Sequence, residues 1–348
     1  MEKINKVIHV IWSLSQGGAE KILLDLVDQS STNYILVISN KNDFDNGNKN
    51  IIYLKGNYFN KIKQILNYSK NSPVILWMYK SICYSFPILF FRKSCGTIHH
   101  DLQFLSKEKI GTKISIILTL FLQKLSKCHF IYVSDASLNN HIKIGFSKSN
   151  TSVIPNGSPV ILPKKINTSK KQLLYVSRWD KIKNFNLAIE ISKKLLEEKI
   201  IDQVVFVGKD VDSTNEELLS IIDHNNLKGQ ITLKGFQTDL KRFYNSSSFT
   251  LISSFSESCP MVLLESLSYG LPCFSTDVGD VKKIYNQNND FIYTSASEAK
   301  MKISKYLNKT ENERSKISIN LINHHRDNYS LKAMRKKYLD LYENLFFS

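Results

Sequence analysis

No two cysteines in this 348-residue chain are spaced C-x-x-C, and the total of five is odd. Cys83, Cys95, Cys128, Cys259 and Cys273 are scattered, which excludes a zinc-ribbon ligand set and argues against a disulfide framework. A reduced, cytoplasmic chain is therefore expected. Glycine (13) and proline (7) are too few for collagen-like or low-complexity sequence. Long apolar runs are missing too. The stretch 114–122, ISIILTLFL, is interrupted by Ser and Thr and falls short of the roughly 18–20 residues that span a bilayer. The apolar stretch within residues 1–14 lacks a small-residue cleavage site and reads as a first strand, not a signal peptide. Neither G-x-G-x-x-G nor a P-loop lysine motif occurs. Acidic residues are the scarcer charge, 31 against 47 Lys and Arg, for a net +16. The excess is steeper in residues 1–160, with 19 basic against 9 acidic side chains. Such a balance suits an anionic partner, although an AT-rich genome would also enrich lysine.

What is present is enough apolar and aromatic sequence, 42% and 11%, to fill two cores. Short apolar runs alternate with amphipathic stretches. Strands are expected at 6–12, 34–39, 51–54, 74–78, 96–99 and 130–134, with helices at 19–30, 59–68, 105–127 and 137–144. Chain breakers at 155–159 (PNGSP) and a polar, charged stretch at 163–171 mark a linker. The alternation then restarts, with strands at 172–177, 203–207, 231–233, 249–252 and 272–275. The fold expected is α/β, two Rossmann-like, doubly wound domains facing across a cleft. The first spans 1–165 and the second 166–330. A terminal helix at about 330–348 could pack back on the first.

Three constellations could carry chemistry. Gly17-Gly18, between the first strand and first helix, let a ligand approach the backbone and the helix N-terminus, although a plain tight turn reads the same way. Arg178 and Lys183 follow the first strand of the second half, where a guanidinium fork and an ammonium suit a diphosphate. The alternative is a solvated charged loop. In 254–265, SFSESCPMVLLE, Glu257 precedes a helix that Pro260 opens, Leu263, Leu264 and Leu267 form its buried stripe, and Glu265 sits inside it. There the helix N–H groups can take phosphate while carboxylates accept sugar hydroxyls.

The Glu257-x7-Glu265 spacing resembles family 4 glycosyltransferases of the GT-B fold, glycosyl transferases group 1, of the bacterial polysaccharide or glycolipid type. Other landmarks follow in order: GGAE at 17–20, T-x-H at 97–99, VS at 133–134, VIPNG at 153–157, the Arg178 and Lys183 stretch, and VG at 207–208. The resemblance runs from about residue 7 to 345. It implies a retaining transferase that moves a sugar from a nucleotide-diphosphate sugar, UDP-linked ahead of GDP-linked, to a hydroxyl of a lipid-linked or surface-polysaccharide acceptor. It implies no cofactor and no essential metal. By the same resemblance Gly17 and Gly18 line the diphosphate, Arg178 and Lys183 neutralise it as it leaves, Glu265 binds the ribose and Glu257 the transferred sugar. Backbone N–H groups of Cys259, Met261 and Val262, with Pro260 opening the helix, frame the phosphates. The histidine at the donor sugar is His99 by the T-x-H spacing, or His100 paired with Asp101. Two departures stand out. Gly279 is followed by Asp280-Val281-Lys282-Lys283 where the family has a second glycine and then a glutamate, and Lys209-Asp210 replace a second glycine after Gly208.

Asp43-Phe44-Asp45, a D-x-D, lies in an Asn/Lys-rich loop and reads as chance. Segment 105–127, with its lysines and with Tyr58, Phe59, Lys61 and Lys63, suits either an anionic membrane surface or a core helix with snorkelling lysines. Two other activities compete on this scaffold: a nucleotide-sugar epimerase or hydrolase, and a decayed basic protein on membrane or nucleic acid. Nucleic acid is disfavoured because no helix-turn-helix, zinc or aromatic-platform motif is present.

Overall fold

A computed structural model describes residues 6–14, 17–27, 33–39, 50–103, 105–126, 128–161 and 171–346. The D-x-D at 43–45 and most of the 163–171 linker lie outside them. The chain divides into two units, Met1–Asn156 with Met334–Ser348, and Gly157–Ala333. The expected boundary at 165/166 thus lies nine residues beyond the observed one, which falls within the PNGSP cluster.

In the first unit seven strands form one sheet: β1 (Ile8–Ile11), β2 (Tyr34–Val37), β3 (Ile51–Tyr53), β4 (Val74–Trp77), β5 (Ser94–Ile98), β6 (His129–Tyr132) and β7 (Thr151–Val153). Their order is β3-β2-β1-β4-β5-β6-β7, and every pair is parallel. β1 and β4 are buried at every position, as IHVI and VILW require of strands covered on both faces. The helix Leu331–Phe346 belongs to this unit from Met334 onward. It buries Met334, Tyr338, Tyr342 and Phe346, one per turn. Arg335 Nε donates to Asp25 O at 3.0 Å, and Lys93 Nζ to Phe346 O at 2.7 Å.

The second unit holds β8 (Gln172–Val176), β9 (Gln203–Val207), β10 (Ile231–Leu233), β11 (Phe249–Ile252), β12 (Cys273–Thr276) and β13 (Ile292–Tyr293), ordered β10-β9-β8-β11-β12-β13 and again all parallel. Both sheets therefore reverse winding once, in the first unit between β1 and β4, in the second between β8 and β11. That reversal opens a crevice at the carboxyl ends of the two central strands, where doubly wound folds bind ligands. The loops that matter for function are those after β8 and β11.

Candidate active site

Each loop around the second reversal is pinned by the next. After β8, Ser177 N donates to Val207 O at 2.9 Å and Trp179 N to Lys209 O at 2.8 Å. The approach is so close that a Cβ on Gly208 would fall 1.8 Å from Ser177 O. Asp180 then caps a short turn, Lys181–Lys183, by accepting from Ile182 N. Asn184, left-handed at φ 50°, reverses the chain into the helix Phe185–Glu197 and caps it. The backbone of Lys183 is held from both sides: Tyr175 Oη and Ser253 Oγ each donate to Lys183 O at 2.8 Å. Phe255 N closes the β8 and β11 loops together through Ile182 O.

This scaffold delivers Lys183 Nζ to Glu257 Oε1 at 2.5 Å, both side chains less than one-fifth exposed. Ser254 Oγ donates to the same carboxylate oxygen at 2.7 Å. The loop after β12 seals it from behind. Thr276 Oγ1 donates to Ser254 O, and Asp280 N to Ser258 O. Gly279, at φ 54°, lies where any Cβ would be 2.3 Å from Ser258 O and 2.5 Å from Glu257 O. Arg178 is largely exposed and turns to Asp180, with Nη2–Oδ2 at 3.0 Å. Burial works against the Asp180 carboxylate, but the Ile182 N–H and the guanidinium outweigh it and hold its pKa below the usual value.

Cys259 and Pro260 are buried and lead into the helix Met261–Ser268, with Pro260 as its N-cap. Met261 and Val262 occupy its first turn, where N–H groups have no intrahelical acceptor. Leu263, Leu264 and Leu267 face the core. Glu265 is anchored to a different element: its Oε2 accepts from Tyr244 Oη at 2.8 Å. Tyr244 sits on the helix Lys241–Ser246 before β11, and its ring stacks on Tyr269 at 4.7 Å and 10°. Burial first, and Glu265 second, push the Tyr244 hydroxyl well above its ordinary pKa, so it stays a donor. The four residues therefore divide. Lys183 and Glu257 touch, Arg178 lies on the same loop as Lys183 but pairs with Asp180, and Glu265 is carried by the helix that Glu257 precedes.

In the first unit Gly17 is extended (φ −102°) and Gly18 opens the helix Gly18–Leu26. A Cβ on Gly18 would meet nothing within 4 Å, whereas one on Gly17 would meet the Glu20 carboxylate. His99 follows β5. Its ring stacks on Trp77 at 5.0 Å and 22°, and its N–H points at Met78 Sδ. Both ring nitrogens are shielded from solvent. Burial lowers the His99 pKa to about 3, with Asn156 opposing weakly, so the ring is neutral at physiological pH. Trp77 Nε1 in turn donates to Nδ1 of the buried His9. His100 lies elsewhere: its Nε2 is 3.1 Å from Glu108 Oε1, while Asp101 accepts from Asn140. Glu108 thus lies within reach of His100, for which the sequence offered Asp101 as a partner in the alternative to His99. Among the described residues no three His, Cys, Asp or Glu side chains gather as a metal-binding set.

Residues 162–324 match the family model of glycosyl transferases group 1. Over that stretch, just under half of the chain, the sequence is similar to group 1 glycosyltransferases. Arg178, Lys183, Glu257 and Glu265 all fall inside it. A curated relative, N-acetyl-alpha-D-glucosaminyl L-malate synthase of Bacillus anthracis, is 23% identical over 219 residues. That match covers 53% of this chain and 56% of the relative, so the chain spans little more than half the relative's length. Among solved structures, HepE of Anabaena in complex with UDP-glucose superposes with a TM-score of 0.82 at 14% identity, over 97% of this chain and 99% of that one. Sucrose-phosphate synthase of Thermosynechococcus elongatus gives 0.79 at 14%, over 99% of both chains. These likenesses give the chain its fold, GT-B, as two parallel sheets flanked by helices.

Sequence reasoning missed the residues that hold the glycosyltransferase site in place. Tyr175 reads as one more apolar strand residue, and Ser253-Ser254 as part of a polar loop. Tyr244 gives no signal at all, because its partner lies 21 residues away. Only Ser254, three residues before Glu257, was open to inference as a local hydrogen-bond donor.

Proposed function

We propose that the chain transfers a sugar from a nucleoside-diphosphate sugar, UDP-linked, to an acceptor hydroxyl on a glycan or lipid-linked glycan, with retention and without an essential metal. One observation carries the reading: Lys183 and Glu257 meet at the winding reversal, beside the first turn of the helix Met261–Ser268. A donor needs both charges there. As the C1–O bond to phosphate breaks, the sugar gains positive charge and the diphosphate negative charge. Lys183 and Arg178, drawn by the diphosphate from Glu257 and Asp180, stabilise the second together with the N–H groups of Met261 and Val262. Glu257 accepts hydrogen bonds from the sugar hydroxyls, and Glu265, steadied by Tyr244, from the ribose diol. The new bond forms between the acceptor oxygen and C1 on the face the diphosphate leaves. The acceptor's proton passes to the departing phosphate oxygen. No hydrolase-type acid pair is required. In the first unit, His99 is held neutral by burial and flat against Trp77, and Gly18 leaves the backbone open.

The structural neighbours support a UDP donor: HepE has been crystallised with UDP, with UDP-glucose, and with UDP and glucose. The test is thermal stabilisation by UDP and GDP, followed by product analysis with UDP-sugars. UDP should raise the unfolding temperature and Arg178→Ala should reduce the rise. Free sugar or an isomerised donor as the sole product would favour a hydrolase or epimerase. No response to any nucleoside diphosphate would overturn the proposal.

A further inference from the structure

The helix Ile110–Ser126 buries one face in the fold and leaves an apolar one in water. Ile116, Thr119 and Gln123 are buried, and Ser115 and Thr119 meet Cys83 of the neighbouring helix Met78–Tyr84. On the opposite side stand Ile110, Ile114, Ile117, Leu118, Phe121 and Leu125, between 48% and 76% exposed. At about 100° per residue these six fall within an arc of roughly 100°, centred opposite the buried one. The stripe runs along about 22 Å of helix. It leaves in water an apolar area at the upper end of what an ordinary monomer exposes, roughly several hundred Å². Phe86, Phe90 and Phe91, just after the helix Met78–Tyr84, are exposed as well.

Charge identifies what the stripe fits. The helix contains no Asp or Glu, and Lys113 and Lys124 fall along one edge of the stripe. Residues 1–160 carry 19 basic side chains against 9 acidic. Two copies meeting through this face would oppose like charges. An anionic lipid surface offers the complement to both components, acyl chains for the stripe and headgroups for the lysines. The helix is too short and too polar on its buried face to span: among the described residues no helix meets the length and hydropathy of a membrane span. We infer that Ile110–Ser126 is an in-plane docking helix that seats the first unit on an anionic membrane. A glycosyltransferase so placed works where lipid-linked acceptors are found.

The inference goes beyond the donor reading and stands apart from it, because it uses only the first unit. The test is vesicle flotation with pure phosphatidylcholine and with phosphatidylcholine containing phosphatidylglycerol, at low and high salt. The protein should float with the anionic vesicles and be released by salt. Ile117→Ser with Phe121→Ser should weaken binding at least about tenfold. Lys113→Gln with Lys124→Gln should weaken it on anionic vesicles only. Each variant is checked for an unchanged unfolding temperature and an unchanged response to UDP, so loss of docking is separated from loss of the donor site. Absence of binding to anionic vesicles overturns the inference. So does a soluble dimer that the serine variants dissociate, since that would make the stripe a face between two copies of this chain.

Discussion

Lys183, the cation proposed for the diphosphate, is paired with a carboxylate. Lys183 Nζ and Glu257 Oε1 are 2.5 Å apart, with side chains 19% and 17% exposed. A diphosphate must displace or share that contact, whereas a nucleotide-sugar brings hydroxyls for Glu257 as compensation. Glu257→Gln should therefore act with opposite sign on the two ligands. An exposed pair is worth about 0–1 kcal/mol and a fully buried one about 3–5 on breaking, so a half-buried pair stands near 1–2 kcal/mol. Releasing Lys183 from it should tighten UDP about five- to thirtyfold. Loss of a charged acceptor for the sugar costs about 1.5–3 kcal/mol, so the donor sugar's own contribution should fall by roughly ten- to a hundredfold. Gln keeps the shape, and Ser254 Oγ can still donate to its carbonyl, so the loop should hold. Calorimetric titration with UDP, UDP-glucose and UDP-N-acetylglucosamine reads both effects, with Lys183→Ala as the control that weakens all three. If Glu257→Gln weakens UDP as much as Lys183→Ala does, the two residues do not compete with the ligand, and the assignment of Lys183 to the diphosphate fails.

Other expectations follow from the same geometry. Gly279→Ala forces a left-handed alanine with its Cβ against Glu257 O and Ser258 O; chemical denaturation should show a loss of about 2 kcal/mol or more and a weaker UDP response. Tyr244→Phe removes the donor to Glu265, which should cost about 1.5–3 kcal/mol in nucleotide binding and raise KM for the donor more than it lowers kcat. Burial lowers His9 and His141 to about 3, against 6.5 when unfolded. Between those values the unfolded chain binds more protons, so stability is present above pH 6.5 and is lost as pH falls toward 3, by about 1.4 kcal/mol per pH unit for each ring. Melting curves from pH 7.5 to 5 should show the first unit weakening first, and His141→Gln should flatten the slope; a pH-independent melt would refute this.

The core strands were legible because strands buried on both faces read as largely apolar runs: 203–207 and 249–252 coincide with β9 and β11. β7 was not, since Thr151-Ser152-Val153 is a half-exposed edge strand with no apolar run, and β13 has only two residues. The segment Met78–Phe91 gave no readable period, because its aromatic and β-branched residues suit strand and helix alike; it forms two short helices, the first opened by Met78 at φ 65°. In the site, charged residues could be picked out by type and spacing, but the partners of Lys183 and Glu265 lie 74 and 21 residues away, where nothing local shows them.

The two departures from the family pattern look different once the backbone is in view. A glycine is needed where another chain presses against the Cα, and those positions are Gly208, against Ser177 O, and Gly279, against Ser258 O and Glu257 O. Both are glycine here. The residues that replace the second glycines face no such demand. Asp280 has φ −94° and starts the turn Val281–Ile284 in a conformation open to any residue, and its N–H donates to Ser258 O. Asp210 does adopt φ 59°, but a short polar side chain reaches that region at modest cost, and its carbonyl accepts from Asn215 Nδ2. The close approach of four loops that sets Lys183 against Glu257 is therefore intact, and what the substitutions change is charge. Asp280 adds a carboxylate behind the Glu257–Ser258 backbone, and Lys209 an exposed ammonium after β9. Changes of that kind leave the loops able to form the site.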